Sequence, residues 1–326
     1  METDMETKKI VILDRSSVGA DVSVEPLKKY GDVTFYMSTP DGDAAERVKD
    51  ADIIIVNKTP MNASTLDTAG RVKLICEFAT GYDNIDLEYC TKRGIRVANV
   101  VNYSTAAVAQ HTAACVLYLL ENLRYYDDYV KTGAYGAQAG FSHFGRPFCE
   151  LDGKTWGIVG MGNIGKRVAA IAEAFGCHVI THSVSGVRRD TGYEQVDFDT
   201  LLARSDILTL HCPLSERTRG LMDLEAFRKM KRTAILVNVA RGAVVRETDL
   251  YTALTEHLIA GAGLDVLGKE PIAPDNLLLK IQDSSRLLIT PHMAWASVEA
   301  RTRLVTETCL NIESFLRGEN RNILNP

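Results

Sequence analysis

The sequence predicts an α/β fold built as two Rossmann-like or flavodoxin-like doubly wound parallel-sheet domains with a cleft between them. Three observations predict it. Short β-branched runs alternate with helix-length connections along all 326 residues. That length exceeds what one hydrophobic core usually serves, so two domains are expected. A Gly-x-Gly-x-x-Gly turn also lies between a strand-like and a helix-like run near mid-chain.

The polar start, METDMETKK, runs into the strand-like IVILD and reads as a frayed tail, neither a secretion signal nor a membrane anchor. KIVILD, DVTFYM, DIIIVN, VKLICEFA and RVANV follow as a first α/β unit ending near Val101. Nearly continuous apolar strands of this kind indicate a parallel sheet covered on both faces. Ser104 is placed to cap a helix in which Val108, Thr112, Cys115, Leu119 and Leu123 recur on one face. From about Lys131 to Cys149 the chain is rich in Gly, Ala and aromatics without a period, as expected of a loop or of an arm packing on a second subunit. TWGIVG opens a second α/β unit, continued by CHVITHS, DILTLH, AILVNVA, AGAGLDV and RLLIT. A last helix, roughly Ser297 to Leu316, offers Leu304, Cys309, Ile312 and Phe315 to a core.

Composition narrows the functions. Hydrophobic residues make up 46% and charged residues 24%, as in ordinary globular proteins. The net charge of −5, with no long basic run, argues against nucleic acid or an anionic membrane as the main partner. The seven cysteines are scattered and form no CxxC pair, which reads as reduced core thiols in a cytoplasmic protein. No apolar run is long enough to span a bilayer.

Gly160-Met-Gly162-Asn163-Ile164-Gly165 directly follows the strand-like WGIVG and precedes the helical KRVAAIAEAF. In that context the first glycine allows a tight turn, the second lets the backbone approach a pyrophosphate, and the third lets helix and strand pack closely. Helix N-terminal amides then hold phosphates without any lysine. At the end of the next strand-like run, where an NAD site carries Asp or Glu, this chain has Ser183. A serine tolerates a ribose 2′-phosphate that a carboxylate would repel. Arg188 and Arg189 follow closely, so either NAD or NADP fits, with NADP plausible.

Three apolar runs of the second unit finish near residues able to do chemistry: VNVARG at Arg241, LDVLGKEP at Glu270 and TPH at His292. Ligand crevices of parallel α/β sheets lie at the strands' carboxyl ends, where distant residues converge. A cofactor nicotinamide supplies hydride, which leaves substrate placement and a proton to the protein. His292 suits acid/base work near neutral pH. Glu270 beside it would favour the imidazolium and fix the ring. Arg241 can fork two N–H donors toward a carboxylate or 2-oxo group. Together they imply reversible reduction of a 2-oxo acid. Asp265, ending GLDV, is either a helix cap or a contact to the cofactor ring. The histidines at 111, 143, 178, 182, 211 and 257 show no ligand spacing, so no metal is expected.

Over nearly its whole length the sequence resembles the D-isomer-specific 2-hydroxyacid dehydrogenase family. The motifs carrying this are ATGYDNID, NYSTAAVAQHT, GIVGMGNIG, LHCPLSERTRGLM, VNVARGAVV, GLDVLGKEP and TPHMAWAS. The resemblance implies a discontinuous substrate domain, residues 1–103 and 296–326, with a dinucleotide-binding Rossmann domain, residues 104–295, inserted. It places Arg241 on the substrate, His292 as acid/base and Glu270 as its partner. It further implies that backbone at Thr80 and Gly81 holds the substrate carboxylate. Cys212, Pro213, Thr218 and Val239 then lie along the cofactor, and Asp265 and Ala294 meet its nicotinamide end. PHMAWAS and NKTP are most similar to the glycerate dehydrogenase, or hydroxypyruvate reductase, branch. Trp295 is expected to shape the pocket or a hinge, or to join an interface. Two departures stand out: Ser183 in place of the usual acid, and Gln110 where many members have Glu, a change expected to touch helix packing. Family members are usually homodimers, with residues 125 to 150 as the expected contact.

The expected activity is NAD(P)-dependent reduction of a small 2-oxo acid such as hydroxypyruvate or glyoxylate to a D-2-hydroxy acid. Two alternatives remain: bulkier branched or aromatic 2-oxo acids, and a dinucleotide-sensing, corepressor-like interaction protein. The intact Arg, Glu and His count against the latter, as does the lack of long disordered tails.

Overall fold

Strand β1 (Lys9–Ile12) buries Ile10, Val11 and Ile12, and on either side of it run β2 (Asp32–Phe35) and β3 (Ile53–Val56). With β4 (Leu74–Glu77) and β5 (Arg96–Ala98) they form a parallel sheet in the order β2-β1-β3-β4-β5. Central β3 and β4 are buried at every position, as β-branched runs covered on both faces must be. Edge strand β2 is mostly exposed, consistent with its more polar DVTF. This computed structural model describes residues 7–40, 42–187 and 190–326; the expected frayed tail up to residue 6, and Arg188 and Arg189, lie outside the described residues.

A second parallel sheet contains β6 (Thr155–Val159), β7 (His178–His182), β8 (Glu194–Gln195), β9 (Ile207–Leu210), β10 (Ile235–Asn238), β11 (Gly261–Leu264) and β12 (Leu287–Ile289). Its order is β12-β11-β10-β9-β6-β7-β8. The order reverses direction beside β6, which is the topological switch point of a doubly wound sheet. The two-residue β8 had no signal in the sequence, being too short and polar to show a period.

The chain divides into two compact units. One runs to Ser104 and resumes at Ala296–Pro326; the other is Thr105–Trp295. The first is completed by the helix Val298–Leu316, whose Ser297 side chain accepts from the Ala300 amide as N-cap. Leu304, Cys309 and Ile312 are buried there, but Phe315 is only half-buried because Ile312 and Ser314 take the inward positions of the last turn.

The helix Thr105–Leu120 buries Val108, Thr112, Cys115 and Leu119 as its spacing predicts. Leu123 does not continue that face. Asn122 takes a left-handed conformation (φ 51°), ends the run, and leaves Leu123 at 49% exposure on a new helix, Leu123–Lys131. Gln110 is exposed, so its difference from the family pattern does not bear on packing as expected. Of the cysteines, six are buried free thiols and Cys149 is exposed. No helix among the described residues is long and apolar enough to cross a membrane.

Candidate active site

β12, β11 and β10 are consecutive neighbours in the second sheet, so the loops leaving their carboxyl ends lie side by side. They are the loops that carry His292, Glu270 and Arg241 respectively. His292 Nδ1 lies 2.6 Å from Glu270 Oε2. The other Glu270 oxygen accepts from the Leu267 amide at 2.9 Å, which aims the carboxylate at the ring. Both side chains keep about a third of their surface open, 31% and 34%. With Nδ1 engaged by Glu270, Nε2 is the nitrogen left for proton transfer.

The backbone at His292 is left-handed (φ 53°), a conformation that costs a non-glycine residue and persists where surroundings impose it. Here Asp265 imposes it. This buried carboxylate accepts from the Thr290 hydroxyl at 2.6 Å and from the amides of Met293 at 2.8 Å and Ala294 at 2.9 Å. Its own carbonyl accepts from the His292 amide at 2.8 Å. Of its two expected roles, Asp265 caps no helix; its carboxylate oxygens clamp the loop that presents His292. The Ala294 amide is likewise committed to Asp265. His111 Nε2, 3.0 Å from the Thr290 hydroxyl, extends this network onto the helix Thr105–Leu120.

Arg241 is positioned by Asn238, the fully buried last residue of β10. Its side chain donates to the Arg241 carbonyl and accepts from the Ala240 amide, both at 3.0 Å. The Arg241 guanidinium in turn donates to the Ala240 carbonyl at 2.9 Å. Gly242 then brings this loop against the one carrying Glu270: a Cβ there would sit 1.9 Å from the Leu267 carbonyl carbon. We expect Gly242→Ala to lower activity by about 10²-fold, since small displacements of catalytic groups cost that much. It should also lower stability by about 1–3 kcal/mol through overpacking. Steady-state rates and thermal melts check both; unchanged values would mean that the two loops do not need this approach.

The glycine fingerprint has the geometry of a phosphate cradle. Gly160, at the end of β6, has φ 96°, and a Cβ on it would lie 2.9 Å from backbone of His211 and Cys212. A Cβ on Gly165 would come 2.2 Å from the Gly160 carbonyl oxygen, so helix and strand meet as closely as the third glycine allows. Beside Gly162, by contrast, the space is open, and its amide has no acceptor among the described residues. Asn163 opens the helix Asn163–Ala174, with Ile164 in its first turn packed toward the core. These features fit a dinucleotide pyrophosphate.

Ser183, just past β7, has its hydroxyl 3.0 Å from that of Ser185. Arg217, which sequence reasoning passed over, donates to the Ser185 carbonyl at 3.3 Å and makes no salt bridge among the described residues. Cys212 is buried and burial pushes its thiol up to about 11, so it stays neutral. Pro213 is exposed, and the buried Thr218 hydroxyl donates to the Pro213 carbonyl at 2.7 Å, shaping that loop from within. Val239 is half-buried beside the core. Neighbouring His211 is held neutral, its pKa lowered to about 3 by burial.

In the other unit, Thr80 donates its hydroxyl to the Val100 carbonyl at 2.7 Å, and its own carbonyl accepts from Asn99 at 2.7 Å. The amides of Thr80 and Gly81 have no acceptor among the described residues. Trp295 is half-buried at the last position of the second unit.

The family model of the D-isomer specific 2-hydroxyacid dehydrogenase NAD binding domain matches residues 113–294. The chain belongs to this family. It is a nicotinamide-dependent oxidoreductase with two parallel-sheet α/β domains. It is 37% identical to the glycerate dehydrogenase of Methylorubrum extorquens, over 98% of this chain and 99% of that one. It is 35% identical to the hydroxypyruvate reductase of Blautia hydrogenotrophica, over 97% and 99%. Among solved structures, D-lactate dehydrogenase from Aquifex aeolicus, complexed with NAD and lactic acid, superposes with a TM-score of 0.85 at 29% identity, covering 97% of this chain and 99% of that one. The match over nearly the full length of each takes in both units.

Proposed function

We propose that this dehydrogenase reduces a small 2-oxo acid, hydroxypyruvate or glyoxylate, to the D-2-hydroxy acid, with NADPH as the preferred cofactor. The observation that carries the reading is the His292–Glu270 pair, 2.6 Å apart, with His292 held in a left-handed conformation by Asp265. The names of the relatives, hydroxypyruvate reductase and glycerate dehydrogenase, support the substrate size.

The cofactor, when bound, supplies hydride to the substrate's C2. The chain's own residues do the rest. The fingerprint glycines Gly160, Gly162 and Gly165, with Asn163 and Ile164, receive the pyrophosphate, and the Cys212–Thr218 loop and Val239 flank the dinucleotide. Thr80 and Gly81 offer their amides to the substrate carboxylate, in the unit we assign as the substrate domain. Arg241 forks onto the carboxylate and carbonyl. His292 donates the Nε2 proton to the carbonyl oxygen as C2 gains hydride, becomes neutral, and is reprotonated from water. Glu270 stabilises the protonated ring before transfer and holds it in line. In the oxidative direction each proton step reverses.

Ser183 supports the NADPH preference, because it offers a neutral hydroxyl where a carboxylate would repel a 2′-phosphate. Arg217, exposed and held against the Ser183–Ser185 turn, adds a cation of the type that pairs with phosphate. Rates for a panel of small and bulky 2-oxo acids, each with NADH and NADPH, test the reading. Turnover of hydroxypyruvate or glyoxylate with NADPH at least as fast as with NADH supports it; preference for branched or aromatic acids, or strong preference for NADH, sinks the corresponding part.

A cytoplasmic homodimer completes the proposal. Phe141 and Phe144 are 91% and 90% exposed beside a stacked Tyr129–His143 pair, an apolar display that a second subunit would cover. A particle of 35.9 kDa by light scattering would contradict it.

A further inference from the structure

Glu77 is the one acidic residue on the central strands of the first sheet, and it is fully buried at the carboxyl end of β4, three residues before Thr80. Oε2 accepts from Asn84 Nδ2 at 3.1 Å, whereas Oε1 is buried without a partner. The same Asn84 amide group donates to the Thr59 carbonyl at 3.2 Å, so it ties the loop after β3 to the loop after β4. Those loops are fixed elsewhere too. Asp14, after β1, accepts from the amides of Asn57, Lys58 and Thr59 and from the Thr59 hydroxyl. Asn57 donates to the Phe78 carbonyl at 2.7 Å. Among the described residues, Glu77 Oε1 is the buried side-chain atom of this network that has no partner.

An ionised carboxylate in this position would leave a buried charge with one neutral hydrogen bond, an arrangement that proteins avoid by keeping the proton. Burial raises the Glu77 carboxyl to about 9; Asn84 and Lys58 pull it down, while Asp14 and Asp83 push it up. The charged groups acting on it are thus Lys58 and Asp14, from the loops after β3 and β1, and Asp83 from its own loop. The carboxyl is therefore neutral at physiological pH. A neutral group matters because the amides of Thr80 and Gly81, a few residues away, are our candidate site for an anionic substrate carboxylate.

We propose that Glu77 is a proton-linked positioning residue: carrying its proton, it holds the strand-end loops around Thr80 and Gly81 in a form that accepts a 2-oxo acid anion, and losing it expels that anion. The idea rests on the substrate reading above. It makes substrate affinity fall at alkaline pH through a group that never touches the reacting atoms, and so favours release of the acid in the pH range where oxidation of the alcohol is favoured.

The test uses oxamate, an unreactive 2-oxo acid analogue, titrated by calorimetry into the full chain saturated with NADPH, from pH 6.5 to 10. Glu77→Gln puts an amide that cannot ionise in place of the carboxyl, so its affinity should stay flat above pH 9, whereas wild-type Kd should rise about tenfold per pH unit there. His292→Asn, measured alongside, separates any proton taken up by the imidazole; it should keep the wild-type alkaline slope. Parallel slopes in wild type and Glu77→Gln overturn the proposal, whereas failure of oxamate to bind at any pH overturns the substrate reading instead. Should Glu77→Gln not fold, His292→Asn answers alone: in that background a flat Kd overturns the proposal, and a rising one supports it. Stability gives a separate readout. Between 4.5 and about 9 the folded chain retains a proton that the unfolded chain releases, so wild-type stability should decline as pH rises across that window, and Glu77→Gln should not share the decline.

Discussion

Replacing His292 with alanine is expected to cut 2-oxo acid reduction by about 10²–10⁴-fold, the usual yield of a positioned acid/base group. Affinity for the dinucleotide should stay nearly unchanged, because the fingerprint follows β6 whereas His292 follows β12 at the far edge of the sheet. The imidazole works only as part of an assembly: Glu270 orients it from one side, and the Asp265 clamp fixes the backbone beneath it. Removing the ring leaves Glu270 still tied to the Leu267 amide, so the fold should survive. Single-turnover rates with NADPH, together with cofactor binding followed by fluorescence, separate the two effects. Equal loss of both would mean that the variant is misfolded, and a rate within about tenfold of wild type would remove His292 from the proton step.

The second large effect concerns the cofactor. Ser183→Asp should raise the Kd for NADPH by about 10–100-fold, the worth of lost hydrogen bonds to a charged group plus the new repulsion. NADH affinity should hold or improve, because a carboxylate accepts from the ribose hydroxyls. Arg217→Glu should move the ratio the same way. The two substitutions share one turn through Ser185, so their effects should not add cleanly. Adenosine 2′,5′-bisphosphate binding reads the phosphate contact without any turnover. An unchanged preference in both variants would place the 2′-phosphate, or the specificity, elsewhere.

Much of this was legible in the chain itself, for identifiable reasons. Parallel strands buried on both faces must be continuous apolar runs, so IIIV, LICE, ILTL and ILVN announced themselves, whereas the two-residue β8 could not. Glycines at 160, 162 and 165 were legible because the backbone approach they permit leaves a fixed spacing. Leu123 was misread because periodicity does not register one left-handed residue, and Asn122 ends the helix there. Asp265 was read as a helix cap or a cofactor contact because an acid at a strand end invites either; only its three hydrogen-bond donors reveal a clamp.

The sequence alone determined the residue types of the chemistry and their places at strand ends, because a parallel α/β sheet gathers its carboxyl-end loops whatever those loops contain. Tertiary structure alone decided which oxygen of Glu270 meets which nitrogen of His292, that Arg217 reaches the Ser185 carbonyl beside Ser183 from another loop, and that Glu77 is buried with one oxygen unpaired. Those facts depend on distances between residues remote in the chain, and on burial that strips water from a charge. Neither is written in any local pattern.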